Sequence, residues 1–161
     1  MMEFISGSAV LPLPAEEALH KREQYWKIEL PAPYKEFIKK MNGAKPANAA
    51  VPYDSRFESI ERFLCILDPG AGNAAENEDA AAYDIDVVMA PMIERLGCDE
   101  DSTGVYILPI AKMEYGNFLA FEYNDAGADP VVCVWDNEES GDFDPVIYFV
   151  AGSFEEFMSR Y

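Results

Sequence analysis

Val105-Tyr-Ile-Leu-Pro-Ile-Ala111, Lys112-Met-Glu-Tyr-Gly116, Asn117-Phe-Leu-Ala-Phe-Glu-Tyr123, Asn124-Asp-Ala-Gly-Ala-Asp-Pro130 and Val131-Val-Cys-Val-Trp-Asp136 follow one another in the second half of the chain. After an acidic loop comes Val146-Ile-Tyr-Phe-Val150. These are short β-branched and aromatic runs divided by turn residues, the pattern of antiparallel strands joined by tight connections. Pro109 has no N–H to give a ladder, so it is expected at an edge, a bulge or the end of its run. In Phe118–Tyr123 both alternating sets are largely apolar, which places that strand centrally, covered on both faces. The rest of the chain is expected to wrap this sheet as helix and loop.

Working outward, Pro14 and the acids Glu16 and Glu17 open a helix whose buried stripe includes Leu19 and Trp26 and which stops by Leu30–Pro33. A second helix begins near Pro33. Its residues Tyr34, Phe37, Ile38 and Met41 fall on one face, and Asn42-Gly43 stops it with a left-handed cap. Residues 44–53 read as loop, with a short edge strand near Ala50–Pro52. The run Ile60–Leu67 fits a helix turn or a strand, of which the strand is preferred, and residues 68–82 read as an exposed loop. Helical spacing returns from Ile85 to Leu96, with a kink or break expected at Pro91 and an end at Gly97. Ser153 and Glu156 form a capping box before a final helix carrying Phe154, Phe157, Met158 and Tyr161.

At 161 residues the chain is expected to be one domain over 1–161, with 1–14 loosely ordered, burying roughly two-thirds of its unfolded surface. Thirty acidic against twelve basic side chains leave a formal charge of −18. That balance argues against nucleic acid or anionic membrane as a partner and suits a basic protein. No apolar run reaches the ~18 residues of a membrane span. Cys65, Cys98 and Cys133 form neither a metal pattern nor a disulfide framework, so reduced thiols in the cytoplasm are expected.

Taken together, certain motifs resemble the SUKH superfamily. They are Leu30-Pro31-x-x-Tyr34-Lys-x-Phe37 ending at Asn42-Gly43, and Leu108-Pro109-Ile-Ala running into Gly116-Asn117. Val132–Trp135 followed by Asp136 and Glu138, and Ala151-x-Ser153-Phe154-x-x-Phe157, complete the set. The superfamily includes the yeast Smi/Knr-type cell-wall regulators and many bacterial immunity proteins. The resemblance implies an α+β fold, a mainly antiparallel sheet of five to six strands flanked by helices. It also implies a non-enzymatic role: binding and neutralising a toxin domain, often a nuclease, or, as the alternative, serving as a regulatory interaction domain. The chain departs from the family at Trp26–Glu29, where a glycine is common, and in an apparent insertion from Gly70 to Ala82.

Catalytic chemistry finds little support in the residues. His20 is the sole histidine and has no triad partners, and Gly70-Ala-Gly72 lacks the remaining features of a phosphate cradle. Thirty acids make chance carboxylate pairs inevitable. The loop Asp136–Ile147 spaces its acids like a calcium loop, but Ile147 stands where a bidentate glutamate is needed. No cofactor or metal is therefore expected. The sharper expectation is a partner-binding negative surface at one end of the sheet, made of Asp136, Glu138, Glu139, Asp142 and Asp144 with Glu122, Asp125 and Asp129. It would steer and hold a basic toxin domain through arginine–carboxylate bonds.

Overall fold

The computed structural model describes residues 2–68, 78–93, 95–96, 107–124, 129–142 and 144–161. The expectations placed on Gly70–Gly72, Gly97, Cys98 and Asp125 lie outside the described residues. Six strands form one antiparallel sheet in sequence order: β1 (Ala50–Tyr53), β2 (Arg56–Phe63), β3 (Ile107–Met113), β4 (Phe118–Glu122), β5 (Val131–Trp135) and β6 (Ile147–Ala151). Helices α1 (Glu16–Trp26) and α2 (Ala32–Met41) precede it. Helices α3 (Glu78–Ala81) and α4 (Ile85–Met89) sit between β2 and β3, and α5 (Phe154–Ser159) closes the chain. The architecture is the α+β arrangement expected from the strand-rich second half.

As the fourth of six strands, β4 has Phe118 through Phe121 all buried, because helices and loops cover both faces of the sheet. Toward α2 and α5, the Tyr34 ring meets Phe121 at 5.0 Å and Phe154 at 5.3 Å, both edge-on. Phe37 packs on Phe63 at 4.9 Å and on Phe154 at 5.5 Å. Edge-on rings place a positive ring edge on a negative face, adding to the burial itself. Alternation turns Phe118 and Trp135 to the other face, where their rings pack at 5.9 Å and the Arg95 guanidinium lies 5.6 Å from the Trp135 ring. Pro109 lies in β3 at a register shift between Pro109 and Ala111. The strand therefore bulges at the residue that cannot donate, and continues instead of splitting.

Several boundaries differ from the sequence expectation. Strand β2 begins at Arg56 and ends at Phe63, earlier than the run Ile60–Leu67; Cys65 makes only an isolated bridge to Asp84. Within residues 68–82, Glu78–Ala81 is helical. The period from Ile85 breaks where Pro91 sits, since α4 ends at Met89 and Ala90–Met92 is a 3₁₀ turn. The N-cap of α1 is Ala15, so Pro14 lies just outside the helix; the helix ends at Lys27, whose left-handed backbone sends its N–H to the Glu23 carbonyl.

Residues 2–14 lie along the domain. Phe4 bridges Pro46, Val10 donates its N–H to the Asn42 carbonyl at 2.7 Å, and Arg62 holds the Ser8 carbonyl at 2.9 Å. The Asn42 side chain acts as a substitute strand for Ile66, donating Nδ2 to its carbonyl (3.1 Å) and accepting its N–H (2.9 Å). Helix α1 is tied down by Arg22, whose guanidinium forks onto Asp84 at 2.8 and 3.0 Å and also reaches Asp86 and the Leu67 carbonyl. The capping box is present with one change: Ser153 Oγ accepts from the Glu156 N–H, but the Glu156 carboxylate accepts from the N–H of Gly152.

Candidate functional site

An up-and-down meander gathers alternate connections at one end. The β1–β2 turn, the β3–β4 turn and the β5–β6 loop all emerge at the same end, because Phe118 pairs with Trp135 and Ile60 with Met113. That end is built on a polar network that fastens the three connections to one another.

Its first anchor is Asp136, only 2% exposed. The carboxylate accepts from Arg56 Nη2 at 2.7 Å and from the Glu139 N–H at 2.9 Å, so it joins the β1–β2 hairpin to the β5–β6 loop. The Asp136 carbonyl accepts from Ser140 Oγ, and that hydroxyl accepts from the Val146 N–H, which draws the loop into a compact turn. Arg95 closes it from outside, donating to Asn137 Oδ1 and to the carbonyls of Asn137 and Ser140. The Arg56 guanidinium stacks on two rings, 4.8 Å from Tyr53 and 5.7 Å from Tyr148.

The second anchor is Glu58, also 2% exposed. It accepts from Tyr53 Oη (2.6 Å), Asn117 Nδ2 (3.0 Å) and the Tyr115 N–H (2.7 Å). Asn117 Oδ1 in turn accepts from the Asn137 N–H, linking the β3–β4 turn to the β5–β6 loop. Two buried acids are thus retained because each charge is met by several donors. Burial, and then the bond to Glu58, push the Tyr53 phenol up to about 12. The bond from Tyr148 to Glu139 pushes that phenol to about 12 as well.

On this scaffold Glu138, Glu139, Asp142 and Asp144 are exposed, and Asp54 and Glu114 on the neighbouring turns are exposed beside them. Two parts of the sequence expectation need correction. Asp136 does not stand on the surface, since its carboxylate is buried in the network. Glu122 and Asp129 lie at the opposite end of the sheet, where Glu122 pairs with Val131; the length of β5, roughly 13 Å, separates the two ends. They do not form one surface with the β5–β6 loop. At the first position of the calcium-like spacing, the Asp136 carboxylate is occupied by Arg56 and by the Glu139 amide.

The family-motif residues have structural places. Leu30, Tyr34, Trp135, Phe154 and Phe157 are core; Pro31 is the N-cap of α2, Phe37 is half-buried against Phe63, and Ser153 caps α5. Asn42, Gly43, Pro109, Gly116 and Asn117 shape backbone at turns and at the bulge. Sequence reasoning missed Tyr53, Arg56, Glu58 and Arg95, which hold the surface together. The two-residue turn Asp54-Ser55, flanked by Tyr53 and Arg56, was the available signal, since a hairpin there brings Arg56 alongside the sheet.

Elsewhere, His20 is exposed on the rim of an open groove of about 380 Å³ lined also by Glu23, Gln24, Lys27 and Lys35. Glu23 there accepts from the Leu30 N–H. Cys65 and Cys133 are free and buried, and burial pushes the Cys65 thiol up to about 12. Among the described residues, no three metal-ligating side chains converge and no helix is long and apolar enough to cross a membrane.

No curated protein matches the chain. A family profile described as SMI1-KNR4 cell-wall, SUKH_6, matches residues 16–158. That match runs from the first turn of α1 to the last turn of α5, so it covers the sheet, the hairpin end and the helices that support them. The chain belongs to the SMI1-KNR4 family of the SUKH superfamily.

Proposed function

We propose that this protein is a bacterial immunity protein that acts in the cytoplasm, binding a cognate toxin domain with a basic surface and neutralising it by occlusion. The observation that carries this reading is the hairpin end of the sheet. Exposed carboxylates of Asp54, Glu114, Glu138, Glu139, Asp142 and Asp144 project there from three connections that buried Asp136 and Glu58 lock together. Such a surface speeds encounter with a positively charged partner and offers acceptors for arginine forks. A nuclease holds its substrate in a basic groove, and a rigid acidic end seated in that groove blocks it. The buried acids serve as scaffold, so the protein needs no chemistry of its own. The overall charge of −18 supports the same reading.

A regulatory interaction domain without a toxin partner is the second reading, favoured by the cell-wall description of the matched family. Affinity capture from the native host, followed by an activity assay of the captured protein, separates the two. A basic domain whose toxic activity disappears at one-to-one stoichiometry supports the immunity reading. A captured partner with no activity to suppress supports the regulatory one.

A further inference from the structure

The acidic end also carries large rings. Phe57 on β2 is 70% exposed and Tyr115 in the β3–β4 turn is 78% exposed. Continuing the β2–β3 register beyond Ile60↔Met113 places Glu58 opposite Tyr115, and the bond from the Tyr115 N–H to Glu58 fixes it there. Phe57 lies between Arg56 and Glu58, both fastened by their side chains to neighbouring connections. The backbone under each ring is therefore held before any partner arrives, which lowers the ordering cost of a contact. Glu114, exposed beside Tyr115, donates its backbone N–H to the Ser59 carbonyl two residues from Phe57, and exposed Asp54 precedes Phe57 by three residues across the β1–β2 turn.

An aromatic face beside a carboxylate suits one side chain above others. A guanidinium can stack on the ring while its planar fork bonds the acid, whereas an ammonium offers only a compact point charge. The protein contains this arrangement internally: Arg56 stacks on Tyr53 and Tyr148 while bonding Asp136. We propose that Phe57 and Tyr115 are arginine-stacking anchors, and that the partner presents arginines, not lysines, to this end of the sheet. The inference rests on the acidic-surface reading above and adds to it a specific partner chemistry.

The test uses the full chain and two synthetic peptides of equal length and charge, one alternating arginine with glycine and one alternating lysine with glycine. Affinities are measured by calorimetry at several salt concentrations. The native chain should bind the arginine peptide more tightly, by several-fold to about 10-fold, because at each of two rings a guanidinium stacks and bonds a carboxylate where an ammonium makes only a point contact. In a Phe57→Thr, Tyr115→Ser double variant that preference should vanish, with arginine-peptide affinity falling more than lysine-peptide affinity. A Phe57→Leu, Tyr115→Leu pair, which keeps apolar bulk without a π face, should lose the preference as well. Melting curves confirm that each variant is folded. If both peptides bind equally to the native chain, or if the preference survives both double variants, the anchors are refuted and the acidic surface stands. If neither peptide binds, the acidic-surface reading falls and this inference with it.

Discussion

Gly43→Ala and Gly116→Ala form a matched pair that isolates one steric contact. Both glycines have positive φ, +66° at Gly43 and +87° at Gly116. Alanine at either site pays a left-handed backbone penalty of about 1–2 kcal/mol. The loss of unfolded-chain freedom, about 0.4–1 kcal/mol in the opposite direction, is common to both and cancels in the comparison. The surroundings differ. A Cβ at Gly43 would meet Val10 Cγ2 at 2.8 Å and Cys65 Cβ at 2.9 Å, whereas one at Gly116 meets nothing within 4 Å. Cys65 Cβ is fixed to its backbone and cannot swing aside, so residues 2–14, which carry Val10, must lift. Overpacking of this kind costs about 1–3 kcal/mol. Gly43→Ala should therefore destabilise by about 1–3 kcal/mol more than Gly116→Ala, read from urea denaturation with a shared slope. The φ of Gly116 is further from the left-handed minimum, so its backbone penalty is the larger and places the expected difference in the lower part of that range. A difference below about 0.5 kcal/mol, the size of ordinary surface effects, would refute the close packing of residues 2–14 on the Asn42-Gly43 turn.

Other perturbations follow from the same structure. Tyr34 is buried and its hydroxyl has no hydrogen-bond partner among the described residues. Tyr34→Phe should therefore stabilise by about 1 kcal/mol in thermal melts, and a loss of stability would show that the hydroxyl is satisfied. Glu58→Ala strips acceptors from Tyr53, Asn117 and the Tyr115 N–H, and should destabilise by roughly 2–4 kcal/mol in urea titrations. The Tyr53 phenol is raised from 10.0 to about 12 in the fold, so the native state keeps a proton that the unfolded chain loses. Its contribution is complete below pH 10 and disappears as pH rises toward 12; absorbance titration should show that phenol ionising later in the native protein than in urea. Cys65 and Cys133 should resist a thiol reagent at pH 8 in the native state and react on unfolding, since both are buried and both thiols are shifted upward by that burial.

Much of the fold was legible because its strongest signals are local. The apolar run Phe118–Phe121, the stripe Tyr34–Phe37–Ile38 and the Ser153–Glu156 box each specify an element within a few residues. Strand β2 was less legible, because its first half, Arg56-Phe-Glu-Ser, inverts the usual pattern: Glu58 faces inward and Phe57 faces water. Period reasoning assumes that apolar side chains mark the core, and this segment reverses that assignment. The acidic loop was visible from composition, but composition cannot separate a surface carboxylate from one that builds the surface. Asp136 and Glu138 look alike in sequence; only the arrival of Arg56 from a strand eighty residues earlier distinguishes them. Grouping Glu122 and Asp129 with the loop failed for a related reason. Neighbours in sequence across one short strand lie at opposite ends of the sheet.

Whether the acidic hairpin end docks the partner is read from the salt dependence of the captured partner's association with three proteins. These are the native chain, a variant with Glu138, Glu139, Asp142 and Asp144 changed to lysine, and a control with Glu122 and Asp129 changed to lysine. Affinity should fall steeply with salt for the native chain and the control, and association of the first variant should be weak and nearly salt-independent. Equal affinity and equal salt slope in all three would contradict docking through that end.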